Sequence, residues 1–209
     1  MNLNSLLNLV LNTVQKNNTP AAGANNGGLL GSLGGSAVAA SLVSMLLKKK
    51  NTGSLAKVGS LAALGMLAYQ AYQGWQKNNP TKPAPLKSDF EPNESKAEEQ
   101  SRVLLRTMIA AAASDGLIDE NEKQLISNES GDDPATLRWL AAEYANPASI
   151  ADIAQAVGND RALASGAYLA ARVVCDDMSR KEIVFLAQLA EALNLDEELV
   201  EKLEQQLGL

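Results

Sequence analysis

From Glu94 to the C-terminus, apolar and polar residues never alternate at strand spacing, and this limits the fold more than any other feature of the chain. Ala, Leu, Glu and Gln dominate the segment, and all four favour helix. Apolar residues recur every three or four positions, the period of an amphipathic helix. Helix start and stop signals are frequent. A first helix is expected from about Glu94 to Ala113, with Val103, Leu104, Met108 and Ile109 facing inward. A second starts near Asp119, with Leu125 and Ile126 inward. In "DDPATLRWLAAEYA" Asp133 serves as cap and Pro134 occupies the first turn of a third. The stretches "PASIADIAQAV", "DRALASGAYLAARVVC", "SRKEIVFLAQLAEAL" and "DEELVEKLEQQL" supply four more. The expected fold is all-α, a bundle of about seven short helices over residues 94–209, long enough to bury one core. Trp139, Tyr168 and Phe185 are expected to be buried or half-buried in it.

The N-terminal half reads differently. In residues 1–17, Leu3, Leu6, Leu7, Val10, Leu11 and Val14 share one helix face and Asn fills much of the other. Such a helix either packs and oligomerises or lies in a membrane interface. Residues 18–28 read as a linker. Leu29–Leu47 carries no charge, meets the roughly 20 residues that a bilayer span needs, and is followed at once by "KKK". A second uncharged run, Val58–Gln76, ends in Tyr69, Tyr72 and Trp75, side chains suited to a membrane interface. Gly27, Gly31, Gly35 and Ala39 recur every four positions, a face that lets membrane helices approach closely. Residues 29–76 therefore read as a Gly- and Ala-rich membrane-associated hairpin; a soluble, self-associating hairpin is the competing reading. Pro80, Pro83, Pro85 and Pro92 make residues 77–93 an extended linker, which leaves 94–209 to fold by itself. Basic loops stay in the cytoplasm. One span then places the C-terminal domain in the cytoplasm, and two place it outside.

Charge and composition narrow the function. The net charge of -6 divides into +7 over residues 1–90 and -13 over residues 91–209. An acidic domain repels nucleic-acid phosphates, so nucleic acid is not an expected partner. The Lys-bearing apolar segment suits anionic lipid. The chain has no histidine, which removes the commonest general base and the His-dependent triads. Its one cysteine, Cys175, sits in the apolar run "AARVVC" and reads as a core residue. No phosphate loop or nucleophile–base pair is present, so an enzyme is not expected, and no catalytic residue is assigned. A carboxylate-based, metal-dependent hydrolase is the remaining enzymatic alternative.

One motif carries chemistry. "AAAASDGLIDENEK", Ala110–Lys123, looks like the back half of an EF-hand loop. Gly116 fits the invariant glycine, with Asp115, Asp119 and Glu122 at acidic positions of the template. Ala111 and Ala113 stand where the first ligands belong, so the loop is incomplete. "ARVVCDDMSRKE" repeats the plan: an apolar helix ends, acids follow, and a new helix begins. If the two helix pairs pack together, Asp115, Asp119, Glu122, Asp176 and Glu182 form a composite oxygen site for Ca²⁺ or Mg²⁺. The competing reading is structural. Asp119 with Glu122, and Ser179 with Glu182, have the spacing of capping boxes.

These segments, "LLRTMIAAAASDGLIDENEKQLI" and "ASGAYLAARVVCDDMSRKEIVFLAQLAEALNLDEELVEKLEQQL", resemble the TerB-like domain of tellurite-resistance proteins over about residues 97–209. The Gly-rich apolar region and Pro-rich tether before them are similar to uncharacterised bacterial inner membrane proteins of the YebE type. The resemblance implies an all-helical bundle, an acidic site for a divalent cation, and a part in envelope or metal stress; it implies no reaction. Lys123 and Lys181 stand where that family often has Arg, and the second acidic turn is shorter than the first. The expected function is a membrane-tethered helical binding or scaffold module at the bacterial inner membrane, its C-terminal domain cytoplasmic. The expected partners are membrane lipid and other copies through the Gly-rich helices, with an unidentified protein partner. A purely structural oligomer without metal is the alternative.

Overall fold

The computed structural model describes residues 3–17, 59–81, 86–92, 95–114, 116, 134–175 and 178–208. Among them all regular structure is helical: α1 (Leu3–Asn17), α2 (Leu61–Asn78), a 3₁₀ turn (Lys87–Asp89), α3 (Ala97–Ala113), α4 (Pro134–Ala145), α5 (Ile150–Val157), α6 (Arg161–Val174), α7 (Arg180–Ala192) and α8 (Glu197–Leu207). The all-α expectation holds, and α3 to α8 fall within a few residues of the stretches that the sequence marks. The expected second C-terminal helix, from near Asp119, lies outside the described residues.

Helix α6 is the centre. Every residue from Ala164 to Val174 is buried, as expected of a helix with neighbours on all sides. Its small side chains permit that crowding. A Cβ added at Gly166 would lie 3.7 Å from Leu104, so α3 packs directly on this face. Asp160 caps α6 by accepting from the Leu163 amide at 2.9 Å. Trp139 and Phe185 pack half-buried against the core and Tyr168 is buried, as the sequence indicates.

The two N-terminal helices belong to the same core. Leu61, Leu64, Leu67, Ala68, Ala71, Tyr72 and Trp75 of α2 are buried. They pack against α8 and α6. Asn78 and Asn79, at the end of α2, donate to the Glu198 carboxylate at 2.6 and 2.9 Å. These bonds hold Glu198 below its usual carboxylate pKa. The sign follows: that contribution to stability is present above the ordinary carboxylate range and is lost as pH falls. Near the other end, α1 lies across α3 and α2 with Leu3, Leu6, Leu7, Val10 and Leu11 buried. Glu98 of α3 accepts from the Leu3 and Asn4 amides at 2.9 and 3.3 Å, a carboxylate at the positive end of the α1 dipole. Asn8 of α1 accepts from the Leu61 amide at 2.9 Å and so helps cap α2.

Two readings change accordingly. Of the alternatives for residues 1–17, the structure shows the packing helix. The described part of the second uncharged run forms a wall of the bundle, not a membrane hairpin arm. The reason is physical: an apolar face satisfies a protein core as well as it satisfies lipid. No helix among the described residues is long and apolar enough to cross a membrane. The first run, Leu29–Leu47, lies outside the described residues.

The Pro-rich segment is also tied down where it is described. Phe90 is buried, its ring 5.6 Å from Tyr69 and 6.0 Å from Tyr72. Its carbonyl rests on Gly65; a Cβ at Gly65 would fall 2.0 Å from that oxygen. Gly65→Ala should therefore displace the Phe90 backbone and destabilise the chain by about 1–3 kcal/mol, the usual range for forced overpacking. A lowered urea midpoint with an unchanged slope is the expected reading. An unchanged midpoint would show that Phe90 does not dock on α2.

Candidate functional site

The acidic motifs flank the ends of α3 and α6. Apolar burial carries α3 as far as Ala111. The Ser114 hydroxyl then turns back to the Ala111 carbonyl at 2.7 Å. The Gly116 amide donates to the Ala113 carbonyl at 3.0 Å, and Gly116 adopts φ +84°. This left-handed residue is the glycine that the motif demands, because a Cβ would be strained there. On the other side, Cys175 ends α6 fully buried, a core residue as its sequence context suggests. Met178 has φ +48°. Ser179 and Glu182 then form a reciprocal capping box. The Ser179 amide donates to Glu182 Oε2 at 2.8 Å, and the Glu182 amide donates to Ser179 Oγ at 3.3 Å.

The fold brings the flanks of the two motifs together. A Cβ at Gly116 would lie 3.8 Å from Lys181 Nζ, across from the first turn of α7. Ser114, Arg180 and Lys181 share one shallow cleft of about 430 Å³ with Val184, Phe185 and Gln188. Of the five candidate ligands, Glu182 is described: it is 2% exposed and serves as a helix cap. Asp115, Asp119, Glu122 and Asp176 lie outside the described residues. Among the described residues no group of three metal-capable side chains converges. Any cation here would also face Arg180 and Lys181, so several carboxylates would be needed to hold it.

A second polar group links α6 to α8. The Arg172 guanidinium, in a residue 6% exposed, donates to the Cys175 carbonyl at 2.6 Å and lies 3.4 Å from Glu204 Oε1. The Tyr168 hydroxyl donates to the same Glu204 oxygen at 2.9 Å. Burial first, then this bond, pushes the Tyr168 phenol well above the ordinary value of 10.0. The folded chain thus keeps a proton that the unfolded chain gives up. This contribution is complete below pH 10 and is lost as pH rises further. Stability should fall above pH 10 with an added slope of up to about 1.4 kcal/mol per pH unit. Tyr168→Phe should remove that slope, measured by urea unfolding from pH 9 to 11.5. An unchanged slope in the variant would contradict the assignment.

Arg172 and Glu204 are separated by a helix and two turns, and no local spacing pairs them. The same holds for Glu98, which serves a helix far earlier in the chain. A lone buried-type Arg in the apolar run "ASGAYLAARVVC" was the available signal for the first pair.

The described residues form an all-helical bundle in which two motif-bearing helix ends meet, and the family to which the chain belongs is TerB-like. The chain belongs to the DUF533 family, a family of unknown function whose model matches residues 19–207. That match takes in α2 to α8. No curated protein and no solved structure matches the chain.

Proposed function

We propose that the chain is a non-enzymatic TerB-like binding module, whose two acidic turns jointly hold a divalent cation and whose N-terminal region attaches it to the bacterial inner membrane. The observation that supports the cation site is the approach of Gly116 to Lys181, since it puts the flanks of both acidic motifs side by side. Asp115 directly precedes Gly116, and Asp176 directly follows Cys175. With Glu182 engaged as a cap, Asp115, Asp119, Glu122 and Asp176 are the carboxylates left to bind Ca²⁺ or Mg²⁺. Few ligands imply weak binding, on the order of 10⁻⁴–10⁻³ M. At about 100 times the dissociation constant, binding adds roughly 2.7 kcal/mol to stability. The test is thermal melting of the full chain in chelator, then in saturating Ca²⁺ or Mg²⁺. The expected result is a rise in melting temperature that Asp115→Asn with Asp176→Asn abolishes. No rise, or a rise that the double variant keeps, overturns the cation site.

The membrane reading follows the YebE-type resemblance, with a topology set by α1. Because α1 and α2 pack on one bundle, the chain between Asn17 and Leu61 begins and ends on the same side of any bilayer. The reading we propose therefore contains no single crossing. Two crossings need about 40 apolar residues and a turn. The segment offers Leu29–Leu47 and then the polar "KKKNTGSLAK". The attachment we propose is from one face, cytoplasmic, with Lys48, Lys49, Lys50 and Lys57 toward anionic headgroups. Scaffolding of a partner protein in envelope or metal stress is the wider role that fits such a module.

A further inference from the structure

At the end of the bundle away from the acidic turns, an open cleft of about 610 Å³ lies between α2, the α5–α6 turn and the α7–α8 turn. Its volume is that of an ordinary small-molecule site. Leu193, Leu195, Leu199, Tyr72 and Trp75 contribute its apolar lining. The polar lining comes from Asn159, Asp160, Arg161, Asn194 and Asp196. Both turns have fixed, unusual backbones. Gly158 has φ +59° and ψ -128°, with open space beside it, and Asn194 has φ +53°.

Arg161 decides what the cleft suits. It is the one cation in the lining. Its guanidinium donates to the Tyr72 hydroxyl at 2.8 Å and makes no ion pair among the described residues. Tyr72 is itself held by Trp75, ring centroids 4.9 Å apart and edge-on. The phenol therefore positions a guanidinium whose remaining donors have no acidic partner among the described residues. Such a fork binds carboxylate in a planar, paired geometry. Asp160 is already engaged at the α6 cap. With Asp196 it keeps the cleft unfavourable to a doubly charged anion.

We propose that this cleft binds a small organic monocarboxylate, with the carboxylate on Arg161 and an apolar body against Leu193, Leu199 and Trp75. Tyr72 is a positioning residue for Arg161. The experiment uses the full chain carrying Trp139→Phe, which leaves Trp75 as the single indole reporter of its two tryptophans. Three probes share one ring: phenylacetate, neutral phenylacetamide and dianionic phenyl phosphate. Phenylacetate should change Trp75 fluorescence saturably and bind about tenfold more tightly than either other probe, the effect of one charge-assisted hydrogen-bond pair. Arg161→Gln should lower phenylacetate to the level of the amide and leave the amide unchanged. Tyr72→Phe should give an intermediate loss, and Arg102→Gln, on the exposed side of α3, should change nothing. Equal binding of phenylacetate and phenylacetamide, tighter binding of phenyl phosphate, full retention in Arg161→Gln, or no saturable signal each overturns the proposal.

Discussion

A chain that starts at Glu94 is expected not to fold as a cooperative unit. The sequence divides the molecule there, but the core does not. Removing residues 1–93 deletes α1, α2 and Phe90. It uncovers the face of α8 that carries Leu199, Leu203 and Leu207, buried to 3%, 0% and 0% exposure. On α2 itself, five large apolar side chains are lost from the core: Leu61, Leu64, Leu67, Tyr72 and Trp75. At about 1.5–3 kcal/mol for each such side chain, the loss is as large as the net stability of about 5–15 kcal/mol typical of a domain. The fragment should keep much of its far-ultraviolet helical signal, lose its near-ultraviolet signal, and associate in size-exclusion chromatography. The full chain should unfold in one urea transition. A fragment that unfolds cooperatively at the midpoint of the full chain would show that α1 and α2 are appendages.

Glu204→Ala is expected to be among the costliest point substitutions. It removes the only carboxylate within ion-pair distance of Arg172 among the described residues. A buried guanidinium then keeps the Cys175 carbonyl as its remaining described partner, and the Tyr168 hydroxyl loses its acceptor. Breaking one side of a fully buried pair costs about 3–5 kcal/mol. Here Glu204 is 31% exposed, so water already screens the pair. The expected loss is therefore nearer to about 2 kcal/mol. Arg172→Met with Glu204→Leu should recover most of it, because no charge is then left unpaired. Urea midpoints of the two variants and the parent chain check this. A neutral Glu204→Ala would place the weight of the α6–α8 contact in leucine packing alone.

Much of the helical content was legible because its signals are local. Ser179 three residues before Glu182 announces a capping box, and that box forms; Asp160 before "RALASG" caps α6 by the same local chemistry. Gly116 was legible for the same reason: its motif requires a left-handed residue, and it has φ +84°. What the sequence hid is tertiary. An apolar run such as Val58–Gln76 looks alike whether lipid or protein covers it. The one discriminating sign is that Ala62, Met66, Gln70, Gln73 and Lys77 fall on a single exposed stripe of α2. Prolines at 80, 83, 85 and 92 suggest a tether, and nothing local indicates that Phe90 docks onto Gly65. The Arg161–Tyr72 bond joins α6 to α2 across 89 residues, so the cleft it serves had no sequence signature.

The common bundle of α1, α2 and α8 can be read directly by the sidedness of two positions. Cys175 is the single cysteine, so Cys175→Ala gives a background without thiols. Asn12→Cys on α1 and Gln205→Cys on α8 are both exposed. Each variant is labelled with a membrane-impermeant maleimide in intact spheroplasts and in inverted inner-membrane vesicles. Both cysteines should react in the inverted vesicles and neither in spheroplasts, since helices of one bundle share one side of the membrane. Labelling of the two positions from opposite sides would contradict the fold and restore a single membrane crossing between α1 and α2.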